Sequence, residues 1–594
     1  MFPKALFGAM TAGFAGVLLA GPPDYPPRQV APASKAAGAI FEDYRAFALR
    51  QDPIEAGLEG EAAALSQLPR VDPQSDAARK HELERFMSRL DAAALTKLDH
   101  EDRVNVRFLR RIVGDSLQEI RFDSSRIVFN SETGPEDILA TMMRAAALRT
   151  GSDVAAYLRR LSQAAGYIDA MTENARRGIR TGFTQPRLTT QNTLAQLKVE
   201  AALPAESDIS YKPLLSLPSS VPASEQQRLR QLALATIDNE IRPAEQRFVA
   251  MLENEYLPKT RNSLGAGELP EGHAYYVYLA QHFTTTDLNP DQIHALGLEQ
   301  VKITRAAMDE QMAAAGWRGD FAGFIKFLRT DPKFYANSRE ELYMRAATIA
   351  KEIDGVIPQF FATPPRLTYG VVEVPREIEE HYTTGRYDLG SPEAGLAGHF
   401  VINTSHLDQR QLYDLPDLAM HEAVPGHHLQ IAIQQEIAAP WFRRHYQVDA
   451  FAEGWAHYAE TLGVEMGIYR TPYEKFGMLS AQMWRACRLV ADTGIHWKGW
   501  TLDQARRCFY ENSALAPHNI ETELQRYVAW PGQALAYKIG QLKITGLRAR
   551  AEKQLGDRFE LRRFHDAILW TGGLPLDLLD EEIDRWIAQQ KAVR

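Results

Sequence analysis

Apolar residues recur three and four apart through residues 39–60, 75–95 and 100–121, with polar or proline-containing turns between them. That spacing predicts amphipathic helices. Residues 135–180 continue the pattern as helical pairs. From Leu203 to Ser224 it lapses, and four prolines and six serines predict a loop or hinge. This divides an N-terminal helical region (39–220) from a second one (221–594). Asn289-Pro290-Asp291-Gln292 is a start signal, with Asn as cap, Pro in the first turn and Gln placed to reach back. The helix it opens is expected to run to about Ala315. Two short β-branched and aromatic runs, Arg366–Val374 and Gly398–Thr404, are bounded by Pro or Gly and predict strands of a small sheet within 366–404. From Leu415 the chain reads as helix again. The expectation is a mainly α protein whose small sheet precedes the helices of residues 415–466.

The N-terminus departs from this pattern. Lys4 precedes an apolar run from Ala5 to Ala20 that is broken by Gly8, Gly13 and Gly16. A spanning helix needs about 20 apolar residues, so the run reads as a signal peptide over 1–20, with an uncleaved anchor or a loose tail as the alternatives. Residues 21–38 read as a Pro- and Ala-rich disordered leader. Export to the periplasm and no membrane span in the mature chain follow as expectations. Cys487 and Cys508 are the only cysteines, so no N-terminal cysteine is present to carry a lipid. Both lie in helical sequence and read as buried thiols, although an oxidising compartment would let them pair.

Charge removes whole classes of function. With 67 basic and 76 acidic residues and a net charge of -9, the chain lacks the basic footprint of a nucleic-acid or anionic-membrane binder. No G-x-S-x-G elbow, phosphate-binding P-loop or strand-borne G-x-G-x-x-G is present.

Histidine is unevenly spread. Eight of 16 (His381, His399, His406, His421, His427, His428, His445, His457) fall between 381 and 457. Among them stands His421-Glu422-Ala423-Val424-Pro425-Gly426-His427-His428. In the HExxH zinc motif two histidines four apart share a helix face and the Glu beside the first is the general base. Here the second histidine comes six or seven residues later. On an unbroken helix His427 would lie about 240° around from His421, and His428 roughly 10.5 Å along the axis. Neither could share an ion with bonds of about 2.1 Å. Pro425 cannot donate to the His421 carbonyl and Gly426 tolerates almost any backbone conformation, so a bulge there can absorb the extra residues. His427 then becomes the second ligand, with His428 as its rival.

The third ligand is sought on a neighbouring helix. Glu453, His457 and Glu460 share a face of Asp449–Glu460, among Phe451, Trp455 and Tyr458. A carboxylate in so apolar a segment needs a partner. Glu453 is the expected ligand, and Glu460 is expected to hold a histidine from behind.

These residues resemble a bacterial family catalogued as the domain of unknown function 885, marked by HExxPGHH and an EGWAxYAE-like helix. Both stand here, as His421–His428 and Glu453–Glu460. Other stretches are similar too: Thr286-x-Leu288 with Ile293-His294-x-x-Gly297, Val401-Ile402-Asn403-Thr404, and Tyr527 to Ala534. The resemblance implies a helical gluzincin-like fold, similar to neurolysin and angiotensin-converting enzyme, with a short strand beside the metal cleft. It also implies His421, His427 and Glu453 as zinc ligands and Glu422 as base.

The expected activity is a zinc metallopeptidase acting on short or extended peptides. Its alternatives are a zinc amidase or deacylase on non-peptide amides, or a metal-binding protein without catalysis. His496, Tyr527 and Tyr537 are the candidate oxyanion donors, although each alone also fits core packing with a satisfied polar tip. Gly398–Thr404 is expected to hold the peptide by strand addition. Arg485 and Arg488 could grip a substrate carboxylate, or else form salt bridges to the helix beside them.

Overall fold

The structure is a computed structural model that describes residues 34–592 apart from 94, 377, 378, 380–382, 393 and 394. The expected signal peptide, residues 21–33 of the leader and His381 lie outside the described residues. The end of the leader is corrected. The Ser34 hydroxyl caps a helix spanning Lys35–Gln51, and its amide donates to Asp102 at 2.8 Å.

Helices begin where short polar side chains can take their free amides. Asp72 caps Pro73–Asp91 and Asp99 caps His100–Phe122. Asn289 and Gln292 form the reciprocal box that opens Pro290–Ala314, as the sequence predicts.

The division near residue 220 is not a division of the core. One core joins Phe41, Phe47 and Phe108 of the N-terminal helices to Phe400, Met420, Trp455, Leu547 and Ile583. A second gathers Val154, Leu161 and Ile168 with Leu214, Ala233, Ile241 and Tyr256, drawn from both sides of the expected boundary. The Pro- and Ser-rich stretch is not a free hinge. It forms 3-10 turns that bury Ser210, Tyr211 and Leu214, and the Ser210 carbonyl accepts from the Tyr157 hydroxyl at 2.6 Å.

The sheet has three strands, β1 (Tyr369–Glu373), β2 (Gly385–Asp388) and β3 (Gly398–Ile402), in the order β1-β3-β2. β3 runs parallel to β1, with Tyr369 opposite Gly398, and antiparallel to β2, with Gly385 opposite Ile402. Strand addition along β3 is thereby excluded, because both of its edges already carry ladder bonds to β1 and β2.

The Glu453 helix (Asp449–Glu465) crosses the helix Ala536–Leu555 at Gly454 and Gly540. A Cβ on Gly540 would lie under 3.0 Å from the Ala450 oxygen and the Gly454 Cα, so the two backbones touch. That contact fixes how deeply Glu453 sits.

The expectation of two free thiols is also overturned. Helices Pro472–His496 and Leu502–Asn512 pack side by side and bring Cys487 and Cys508 to a Cα separation of 5.6 Å, where they are disulfide-bonded. Sequence periodicity placed each on a helix but could not supply the docking of one helix on the other. Replacing both by Ala is expected to lower stability by about 2–4 kcal/mol. An earlier urea midpoint, unmoved by added reductant in the variant, checks this.

Candidate functional site

The expected bulge is a complete break between two helices. Leu415–Glu422 ends where Ala423 turns to φ -94°, ψ -119°, and His427–Glu436 begins after Gly426 at φ -74°, ψ -128°. The His428 amide bonds the Ala423 carbonyl at 3.1 Å, and the Gln430 amide bonds that of Gly426 at 3.1 Å. The turn is fastened to the Glu453 helix by the Trp455 indole N–H, which donates to the Pro425 carbonyl at 2.7 Å.

This break turns two imidazoles toward each other. The His421 and His427 ring centroids are 4.7 Å apart with the planes perpendicular. Glu453 Oε2 lies 3.7 Å from His421 Nε2 and 3.5 Å from His427 Nε2. Ligand atoms of the three residues all fall within 4.8 Å of one another.

Glu453 Oε2 is buried without a hydrogen bond, which is costly for a carboxylate unless a cation is nearby. Ligands about 2.1 Å from one ion at tetrahedral angles stand roughly 3.4 Å apart, close to the spacings seen. Nitrogen and oxygen donors of this kind suit zinc, so the residues fit.

Of the three residues, His421 is held from behind. His421 Nδ1 donates to Glu460 Oε1 at 2.8 Å, and that proton leaves Nε2 as a lone pair facing Glu453. Glu460 Oε2 accepts from His457 Nδ1 at 2.7 Å, and Arg485 lies 3.5 Å from Glu460 Oε1. Burial would raise the Glu453 carboxyl, but His427, His421 and Arg488 outweigh it and hold it down to about 2. Burial opposes charge on His427, yet Glu453, Glu422 and Glu460 raise its pKa above the ordinary imidazole value. The pocket is thus electrostatically set for positive charge.

His428 faces elsewhere. Its Nδ1 meets the Tyr387 hydroxyl and its Nε2 the Leu367 carbonyl, each at 3.1 Å, and burial pushes its pKa down to about 4. His428→Ala is therefore expected to keep its metal while His427→Ala loses it. Zinc content of the two purified variants decides between them, and the reverse result would make His428 the ligand.

Glu422, 9% exposed, is the last residue of its helix, and its side chain forms no hydrogen bond with the described residues. Two of the three candidate oxyanion donors are already committed. His496 accepts from the Ala266 amide at Nδ1 (2.9 Å) and meets the Tyr527 carbonyl at Nε2 (2.8 Å). The Tyr527 hydroxyl donates to Glu523 at 2.8 Å and accepts from Trp484 and Arg488 at 3.0 Å each. Both are buried, with no donor left to offer, which corrects their expected role. Tyr537 differs. Its oxygen accepts from Arg526 at 3.4 Å, and its own proton has no acceptor among the described residues. Arg485 forms the expected salt bridge to the neighbouring Glu453 helix, whereas Arg488 pairs with Glu523 at 2.8 Å.

Trp455, Gln482 and Lys538 belong to the site without having been foreseen there. Trp455 stands inside the EGWAHYAE segment, which was a usable signal. Nothing local marks Gln482 or Lys538.

A family model described as a bacterial protein of unknown function (DUF885) matches residues 53–583. The crystal structure of a presumed lipoprotein from Colwellia psychrerythraea superposes with a TM-score of 0.88 at 27% identity, covering 93% of this chain and 99% of that one. A presumed lipoprotein of unknown function from Shewanella oneidensis shares the fold, with a TM-score of 0.72 at 17% identity and the same coverages of 93% and 99%. A presumed oligoendopeptidase F from Bacillus anthracis str. Ames reaches a TM-score of 0.27 at 11% identity, over 86% of this chain and 96% of that one, which is too low to bear on fold or activity. No curated protein matches the chain.

Proposed function

The chain belongs to the bacterial family of unknown function DUF885, and from its site we propose a zinc-dependent hydrolase that cleaves peptide bonds in short or extended peptides. The observation that carries this reading is the convergence of His421 Nε2, His427 Nε2 and Glu453 Oε2 beside the buried Glu422. Held by these three residues, zinc would supply Lewis-acid chemistry, making a water more acidic and polarising a carbonyl.

The chain's own residues supply the remaining parts. Glu422 accepts the proton of the attacking water and passes it to the leaving amine. Glu460 fixes His421 in the tautomer that presents Nε2. Tyr537, with its hydroxyl proton free, is the donor that steadies the oxyanion. A site that only stored or used metal structurally would have no use for Glu422.

Export belongs to the same reading. The N-terminal apolar run, the disulfide and the lipoprotein descriptions of two structural relatives support it. No described helix is long and apolar enough to cross a membrane.

The test is a digest of a mixed peptide library beside a set of acyl amides, with zinc-loaded and chelated protein. Zinc-dependent cleavage of peptides supports the proposal. Cleavage of the acyl amides alone makes the protein an amidase, and no cleavage of either removes catalysis from the reading.

A further inference from the structure

Behind His421 lies a buried polar chain that runs through Glu460 to Gln482 and Lys538, two residues the proposed chemistry does not use. Glu460 and His457 are 0% exposed, Gln482 5% and Lys538 3%. They come from three elements: the Glu453 helix, the helix Pro472–His496, and the helix Ala536–Leu555. Gln482 Nε2 donates to Glu460 Oε2 at 3.0 Å, and Lys538 Nζ donates to Gln482 Oε1 at 3.0 Å.

The order of donors along this chain is forced. An ammonium offers three donors and no acceptor, so Lys538 can meet only the oxygen end of the Gln482 amide. That choice turns the nitrogen end toward Glu460. With His457 and Gln482 both donating to Oε2, the carboxylate cannot rotate without breaking a buried bond, and Oε1 stays directed at His421 Nδ1. Were the amide reversed, its oxygen would face the Glu460 carboxylate, acceptor against acceptor, in a site closed to water.

We propose that Gln482 and Lys538 are positioning residues for zinc: Lys538 sets the direction of the Gln482 amide, Gln482 locks Glu460, and Glu460 thereby holds His421 Nε2 toward the ion. The assignment rests on the reading of His421, His427 and Glu453 as zinc ligands. Partners of this kind set ligand orientation and basicity, and losing one weakens metal binding by roughly 10- to 100-fold. Lys538 reaches the metal through three intervening side chains, Gln482, Glu460 and His421, and its own contact in that chain is Gln482. Without Gln482, Lys538 has nothing left to orient.

The test measures zinc affinity by chelator competition, with the absorption spectrum of the cobalt-loaded protein as a report of ligand geometry and unfolding of the metal-free protein as a control. Lys538→Met and Gln482→Leu are each expected to weaken zinc binding roughly 10- to 100-fold and to alter the cobalt spectrum. The double variant is expected to be no weaker than Gln482→Leu. Two independent packing contributions would instead add. Gln482→Glu covers the case in which the larger changes prevent folding. It keeps the size of the side chain and an acceptor for Lys538, but sets an oxygen against Glu460, and is also expected to weaken zinc. Single variants that bind zinc like the parent, or effects that add in the double variant, overturn the proposal. A parent that binds no zinc refutes instead the reading of the ligands on which it rests.

Discussion

Glu422→Gln is expected to bind zinc as the parent does and to hydrolyse peptides about 10²- to 10⁴-fold more slowly. The two side chains have nearly the same shape, and Glu422 is not among the three residues whose ligand atoms converge. The ion therefore keeps its donors. What the substitution removes is a basic oxygen at the end of the His421 helix, buried beside the triad and without a hydrogen bond to the described residues. An amide there can neither take a proton from water nor return one to the leaving amine. Zinc analysis with initial rates on a peptide identified from the library checks both halves. A variant that keeps zinc and cleaves at the parental rate would take Glu422 out of the chemistry.

Gly426→Ala is expected to lose zinc binding and to destabilise the chain by roughly 3 kcal/mol. The backbone at Gly426 has a negative φ of -74°, so left-handed strain is not the reason. Space is. A Cβ there would lie under 3.0 Å from the carbonyl carbon and oxygen of His421 and from the Met420 oxygen. These are backbone atoms at the end of a helix and cannot swing aside as the tip of a side chain would. Relief requires the His421 helix to withdraw from the start of the His427 helix, which separates the two imidazoles. An earlier urea midpoint with loss of zinc is the expected result. A variant with parental zinc affinity would show that close packing at this turn does not bring the histidines together.

The convergence of His421, His427 and Glu453 was legible because local chemistry determines much of it. Histidines six residues apart cannot share one ion on a regular helix, and Pro425 with Gly426 is the pair of residues able to end one helix and start another. Glu453 could be singled out because Phe451, Trp455 and Tyr458 leave a carboxylate there without solvent. The two longer strands and the helix opened by Asn289 were legible for similar local reasons.

The misses share a different cause. β2 is four residues long and includes Gly385, Arg386 and Asp388, so it has no alternation to detect. The central place of β3 depends on strands paired across 11 residues or more of sequence. Tyr211 and Leu214 join a core whose other half lies beyond the Pro- and Ser-rich stretch. His496 and Tyr527 look like candidate donors until Ala266, Trp484, Arg488 and Glu523 are seen to occupy them. Nothing in the sequence around Lys538 marks it, and its burial beside Gln482 follows from the docking of one helix on another.

Zinc content of the purified parent beside Glu453→Ala tests the central claim most directly, because it depends on neither substrate nor rate. One tightly held zinc ion per chain in the parent, lost in the variant, is the predicted result. A parent without zinc, or a variant that retains it, would contradict the assignment of His421, His427 and Glu453 as a metal centre.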